Sequence, residues 1–324
     1  MTRSVELDCT AQKPGLAGFD ASVRFACPQC GTALKSDSCQ ACGFCLELCC
    51  GILDALPPVR KAYYASFIED YEQIRASEGR GSKNEDFYLA LPYRDTTGRN
   101  TRQWQIRSRS FDCLLQQILN PNFPARGARV LDLGAGNGWM SYRLAKAGYL
   151  PVAVDLLVND ADGLGAADYY RAHLPCLFPR VRAELGRLPF QQGQFDVAIF
   201  NASLHYAEDY VACLREAFYS VHHGGMVIVC DTPWYADDRS GRQMLAERRS
   251  VFMDRYGFAS DSIKSLEYLT DERLGMLEQQ LRIQWSIRTP HYDLRWRLRP
   301  LIACLRGRRE PSRFRIHVAR KLSA

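Results

Sequence analysis

The chain has 324 residues, of which 47% are hydrophobic and 24% charged, and its formal net charge is +6. That balance is too apolar for a disordered chain, and the length predicts two domains at roughly 150 residues each. No run approaches the ~18 consecutive apolar residues of a spanning helix. The opening MTRSVELDCTAQK has no apolar stretch suited to an export signal. The expectation is a cytoplasmic protein with no transmembrane segment. The charge is uneven: from Gln280 to Ala324, eleven Arg and Lys321 face only Asp293 and Glu310, a local +10 against −4 elsewhere.

Four regions follow in chain order: a flexible lead-in (1–22), a cysteine-rich module (23–56), a helical linker or lid (57–125) and an α/β domain (126–324). After Leu56-Pro57-Pro58, the stretch VRKAYYASFIEDYEQIRA predicts a helix. The glycine-punctuated segment from Gly79 to Asn100 reads as loop. QWQIRSRSFDCLLQQIL predicts a second helix, ended by Pro121 and Pro124. From Arg129 onward, ARVLDLG, PVAVDL, PRVRAEL, FDVAIFNAS and GGMVIVCD read as strands. They are separated by helices over NGWMSYRLAKAG, AADYYRAHL and DYVACLREAFYSV, and FRIHVARK forms a last strand. Short apolar strands alternating with helices predict a parallel sheet covered on both faces.

The sharpest local signal is Val130-Leu131-Asp132-Leu133-Gly134-Ala135-Gly136-Asn137-Gly138, at a strand exit and a helix start. Glycines there let the backbone turn tightly and approach a ligand where a side chain would collide. The third glycine comes one residue too early for the G-x-G-x-x-G pyrophosphate loop. The next strand ends at Asp155, an acid placed to accept from a ribose diol.

This pattern resembles motif I of class I S-adenosylmethionine (SAM) dependent methyltransferases. The likeness continues through Glu184-Leu185-Gly186-Arg187-Leu188-Pro189-Phe190, Phe195-Asp196-Val197 and Phe200-Asn201-Ala202-Ser203-Leu204-His205-Tyr206. The resemblance implies a Rossmann-like fold with a mostly parallel seven-stranded sheet. It also implies a SAM site built from Asp132, Gly134, Ala135, Gly136, Gly138, Asp155, Leu156, Glu184, Leu185 and Asn201. Glu184 stands where the family usually has Asp accepting from the adenine amino group. His205, after the fourth strand, is the candidate general base for an acceptor that must lose a proton. Tyr206 and Asp231 are candidate substrate contacts, and Tyr63, Tyr64, Tyr71 and Trp104 a candidate lid. The chain further resembles bacterial methyltransferases with an N-terminal zinc-ribbon-like segment, through Glu78-Gly79-Arg80-Gly81, Leu91-Pro92-Tyr93, Gln103-Trp104-x-Ile106-Arg107, Asp162-Gly163-Leu164-Gly165 and Ala202-Ser203-Leu204-His205-Tyr206.

Eight of the thirteen cysteines fall in the first fifty residues, which in a non-exported chain reads as metal binding. Cys27-Pro28-Gln29-Cys30-Gly31 and Cys39-Gln40-Ala41-Cys42-Gly43 are two knuckles whose four thiolates suit a closed structural zinc site. A rival is Cys39, Cys42, Cys45 and Cys49, spaced like a ferredoxin iron–sulfur run.

Arg interleaved with Trp296 in the tail suits RNA or an anionic membrane surface, or packs as a solvated face. The leading expectation is methyl transfer to a small or carrier-linked metabolite. RNA base methylation and a non-catalytic SAM-binding scaffold are the alternatives.

Overall fold

The computed structural model describes residue 19 and residues 22–124 and 127–322, so most of the lead-in expected over 1–22 lies outside the described residues. In chain order the strands are β1 (Glu47–Cys49), β2 (Ile52–Asp54), β3 (Arg129–Leu133), β4 (Leu150–Asp155), β5 (Arg180–Arg182), β6 (Phe195–Asn201), β7 (Val221–Cys230), β8 (Ser286–Arg288) and β9 (Ile316–Arg320). The helices are α1 (Pro58–Ser77), α2 (Glu85–Ala90), α3 (Thr101–Cys113), α4 (Asn120–Asn122), α5 (Trp139–Lys146), α6 (Tyr210–Ser220), α7 (Asp238–Tyr256), α8 (Asp271–Leu281), α9 (Leu294–Arg297) and α10 (Arg299–Leu305).

The strands form one sheet in the order β1-β2-β5-β4-β3-β6-β7-β9-β8. Contacts from β2 to β7 are parallel, and the β1–β2, β7–β9 and β9–β8 pairs are antiparallel. The α/β class is as expected, but the described residues form nine strands where seven were predicted. The extra pair at one edge comes from the cysteine-rich stretch: Ile52, Leu53 and Asp54 register against Arg180, Val181 and Arg182. The buried Arg180 guanidinium reinforces that edge by donating to the carbonyls of Cys50 (3.3 Å) and Leu164 (3.1 Å).

Two helical readings change. A short helix, α2, occupies the segment read as loop, because the Asn84 side chain caps it at Asp86 N–H (2.9 Å) and its Phe87 and Tyr88 are buried. Leu164–His173 winds as a 3₁₀-helix instead of an α-helix, with Tyr170 fully buried and stacked on Tyr142 at 4.4 Å.

The chain runs outward from β3 to β4 and β5, then returns past β3 to β6 and β7. The strand order therefore reverses between β3 and β6, and a crevice at the carboxyl ends of those strands is where ligands bind in open α/β sheets. Helices α1, α3 and α7 converge over that crevice, each contributing side chains to its lining. At its amino-terminal end, α1 is fixed by Arg60, which donates to both carboxylate oxygens of the buried Glu184 (2.6–3.0 Å). Toward its other end Arg75 pairs with Asp162 at 2.5 Å.

Candidate active site and metal centre

The glycine-rich loop leaves β3 with Gly134, Gly136 and Gly138 all at positive φ (77°, 55° and 75°). Gly134 and Ala135 both donate their N–H to the Val154 carbonyl (2.8 and 3.0 Å), which doubles the loop back over β4. At the end of β4, Asp155 accepts from Gly136 N–H (2.7 Å) and Leu157 N–H (2.9 Å). Its carboxylate thus ties the loop to the β4 exit, and burial pushes its pKa up to about 6.

These segments open on a cavity of about 350 Å³. Its floor is made by strand exits: Asp132, Gly134, Ala135 and Gly136 after β3, Asp155 and Leu156 after β4, Asn201, His205 and Tyr206 after β6, and Asp231 after β7. Its roof mixes aromatic and apolar side chains, Phe67 and Tyr71 from α1, Trp104 and Ile106 from α3 and Phe252 from α7, with the guanidinium groups of Arg75, Arg107 and Arg248. Tyr71 and Tyr206 meet edge to face at 5.4 Å. Of the four tyrosine and tryptophan residues expected as a lid, Tyr71 and Trp104 line the cavity. Tyr64 instead donates to Glu184 (3.0 Å), and Tyr63 to Glu208 (2.8 Å).

The cavity wall is polar where polarity is costly. Among the described residues, Trp104 Nε1, Asp132 Oδ1, His205 Nδ1, Asp231 Oδ2 and Arg248 Nε are buried without a hydrogen-bond partner, and all five residues line this cavity. Unpaired buried polar atoms cost about 1–3 kcal/mol each. Four of the six non-glycine residues described with left-handed backbone also line it: Ala202, Asp231, Ser260 and Glu267. Such strain collects at functional sites.

Burial pushes Asp231 up to about 6 and Asp132 up to about 7. It also pushes His205 down to about 4, with Arg248, Arg107 and Arg75 acting in the same direction against Glu267. At neutral pH His205 is therefore an uncharged imidazole. Asp231 receives a hydrogen bond from Ser110 Oγ on Oδ1 (2.6 Å), leaving Oδ2 open.

Two residues expected at the cofactor lie elsewhere. Glu184 is absent from the lining while its neighbours Ala183 and Leu185 are part of it. Glu184 lies past the end of β5, at the start of a turn closed by Arg187 N–H on its carbonyl (3.2 Å), and its side chain points to Arg60 and Tyr64. Gly138 also lies off the cavity. A Cβ there would fall 2.9 Å from Phe178 Cζ, so this glycine serves the close approach of the α5 start to Phe178. Asp132 lines the cavity and accepts from Ser141 Oγ (2.7 Å), which anchors the start of α5.

In the cysteine-rich module, Gly31 and Gly43 sit at φ 76°, and their N–H groups close back on the Cys27 and Cys39 carbonyls (2.8 and 2.9 Å). These two matching turns bring the Sγ atoms of Cys27, Cys30, Cys39 and Cys42 within 4.8 Å of one another, and the Cys27–Cys42 and Cys30–Cys39 pairs lie at 3.5 Å. Tetrahedral Zn–S bonds of about 2.3 Å require S–S separations of ~3.8 Å, so the four thiols can hold such an ion. Cys45 is not in the cluster; its Sγ donates to the Leu46 carbonyl (3.6 Å). Cys27 and Cys39 belong to the same core as Phe25, Phe190 and Phe195, so the module packs directly on the sheet. If the four thiols hold a structural ion, replacing Cys39 by serine should abolish metal binding and lower the Tm by on the order of 10 °C, because the binding free energy of a structural ion is folding free energy. Metal content by plasma emission and a melting curve check this, and a variant that keeps one metal per chain would refute it.

A family model described as a methyltransferase domain matches residues 131–229. The demethylmenaquinone methyltransferase of Mycobacterium marinum is 35% identical over 181 residues, covering 53% of this chain and 70% of that protein. The chain belongs to the SAM-dependent methyltransferases. The corresponding protein of Mycolicibacterium gilvum is 35% identical over 103 residues, 32% of this chain and only 41% of the relative's length. Among solved structures, a SAM-dependent methyltransferase from Mesorhizobium loti is 19% identical, covers 66% of this chain and 99% of its own, and has a TM-score of 0.44. Among the described residues, no helix of this chain is long and apolar enough to cross a membrane.

Several lining residues had no local signal in the sequence. Arg248 and Glu267 form a bidentate pair beside the cavity (2.6 and 2.7 Å). Arg107, which the Gln103-Trp104-x-Ile106-Arg107 likeness marks without giving it a role, also lines it, and burial lowers its pKa. A charged residue in an ordinary helical pattern reads as solvent-facing, and only the packing of α3 and α7 over the sheet brings Arg107 and Arg248 inward, while Glu267 comes from the loop before α8.

Proposed function

We propose that this chain is a cytoplasmic enzyme that transfers a methyl group from SAM to a small or carrier-linked metabolite. The observation that carries this reading is the set of buried, unpartnered polar atoms at Asp132, His205 and Asp231 around one cavity at the strand exits. Their cost to folding is accounted for by a ligand and an acceptor that pair with them. The named relatives add support, since demethylmenaquinone is a small molecule.

The residues present fit SAM. The backbone of Gly134, Ala135 and Gly136 leaves a cradle for its methionine portion, Asp155 stands ready for the ribose, and Leu156, Leu185 and Asn201 surround the remainder. Glu184, held by Arg60, is left out of this assignment. The chemistry supplied on binding is an electrophilic sulfonium methyl. The chain's part is to align the acceptor with it and exclude water, an effect of up to ~7–11 kcal/mol. Asp231 takes the acceptor's proton on Oδ2, its pKa lying closer to neutrality than that of His205. His205, neutral, hydrogen-bonds the acceptor through Nδ1, and Tyr206 with Tyr71 forms an apolar wall beside it. In this reading Cys27, Cys30, Cys39 and Cys42 hold a structural zinc ion, the module of 23–56 buttresses the sheet edge, and 57–125 roofs the catalytic domain of 126–324.

The test is incubation of purified protein with methyl-labelled SAM and a cell extract split into RNA, protein, lipid and small-molecule fractions. Label in the lipid or small-molecule fraction is expected. Label confined to RNA would overturn the acceptor class, and S-adenosylhomocysteine binding without label in any fraction would leave a scaffold.

A further inference from the structure

A second chamber of about 1170 Å³ lies on the other side of α3 from the cavity. The two share Gln103, Ile106 and Phe314 in their walls, so they adjoin. The second chamber is lined by Arg99 and Arg102 from the start of α3, by Arg295, Arg299 and Arg306 from α9, α10 and its end, and by Arg308. None of these six forms an ion pair among the described residues. The one carboxylate in the lining, Glu247, is taken by a seventh arginine, Arg309, at 2.6 Å. Arg299 is half-buried, lies 3.9 Å over the Trp296 ring, and is held below the usual guanidinium range by burial and by Arg102 and Arg309.

Crowded, uncompensated guanidinium groups repel one another and cost stability unless an anion joins them. Their planar forks match phosphate oxygens two at a time, which an ammonium cannot do. Two stretches of chain, 99–102 and 295–308, more than 190 residues apart in sequence, supply the groups, and both reach one concavity bordering the cofactor cavity. We infer that the methyl acceptor carries a phosphate or diphosphate group, which docks in this arginine chamber while the accepting atom reaches past Gln103, Ile106 and Phe314 into the cavity. This assignment rests on the function proposed above and specifies its substrate class. The phosphate belongs either to a soluble metabolite or to a lipid headgroup. The outer side of α10 carries exposed Leu301 and Leu305 beside the chamber, compatible with the second source.

The experiment uses the full chain saturated with S-adenosylhomocysteine, titrated calorimetrically with inorganic diphosphate and sedimented with vesicles of equal phosphatidylcholine and phosphatidylglycerol. The comparison is Arg102→Gln/Arg299→Gln/Arg306→Gln against a control with equal charge loss at exposed sites, Arg215→Gln/Arg239→Gln/Arg249→Gln. The expected result is binding of diphosphate that weakens with salt, is at least ~10-fold weaker in the chamber variant and is unchanged in the control. Diphosphate binding alone identifies a soluble source, and chamber-dependent vesicle binding a lipid headgroup. Binding of neither probe, or equal loss in both variants, overturns the inference. A single-stranded RNA that binds at least 100-fold more tightly than diphosphate through the same arginines also overturns it. Melting curves confirm that both variants fold. S-adenosylhomocysteine affinity in the unmodified chain is measured first; its absence would refute the proposed function itself, separately from the chamber.

Discussion

Asp231→Asn is expected to lower the rate of methyl incorporation about 10²–10⁴-fold, the usual contribution of a positioned general base. Asparagine keeps the shape and an acceptor for Ser110 Oγ, so the turn after β7 survives. What disappears is the basic oxygen Oδ2, buried and without a partner. Burial places the Asp231 pKa at about 6, above its ordinary value of 3.8. The base form therefore dominates above pH 6. The wild-type rate should rise about tenfold per pH unit below that value and level off above it. A profile that is flat from pH 5 to 8 would assign the proton instead to His205, whose pKa lies at about 4. Stability should move the other way. A carboxyl group with a raised folded-state pKa opposes folding as pH climbs from the unfolded value through the folded one, and that burden is full above pH 6. The asparagine variant is accordingly expected to melt at a higher temperature at pH 8 while losing activity. A lower Tm together with the lost rate would point to a structural role for Asp231.

Gly134→Ala is expected to weaken S-adenosylhomocysteine binding by about 100-fold or more, equivalent to ~2.8 kcal/mol. The backbone there has φ 77°, and an added Cβ would lie 2.2 Å from the Cβ of Ser203. Ser203 has little freedom to yield, because its hydroxyl donates to the Leu133 carbonyl at 2.5 Å and its side chain is buried between β3 and β6. The loop must shift, and with it the Gly136 N–H that Asp155 holds. Overpacking adds about 1–3 kcal/mol of destabilisation. Gly98→Ala is the control: its φ is 72°, but nothing lies within 4 Å of the added methyl, so it should cost about 1 kcal/mol and leave affinity unchanged. Calorimetric titration of both variants decides the matter, and affinities within threefold of one another would exclude close backbone packing as the reason for Gly134.

The reach of the sequence is set by the range of the forces involved. The Gly134–Gly138 turn, the Cys27–Gly31 and Cys39–Gly43 knuckles and the alternation of strands with helices depend on backbone freedom and apolar period within a few residues, so they are legible from local order. Asp155 was legible for the same reason, one strand length after the loop. The partner of Glu184 was not: Arg60 lies 124 residues away, and only the direction of the side chain at 184 separates a cavity wall from an anchor for α1. The two extra strands were hidden because Glu47–Cys49 and Ile52–Asp54 are too short to show a period, the second gaining its pairing from β5 and the first from the second. The electrostatics of the site likewise belong to the tertiary structure. Asp231 and His205 have ordinary side chains, and their shifted protonation comes from desolvation by α1, α3 and α7, which no neighbouring residue in the chain can impose. The sequence by itself determined the turns, the cysteine set and the strand–helix alternation. Only the folded chain decided which acids are bases, which are anchors, and which arginines stand together without a partner, because burial and long-range charge pairing exist only once distant segments meet.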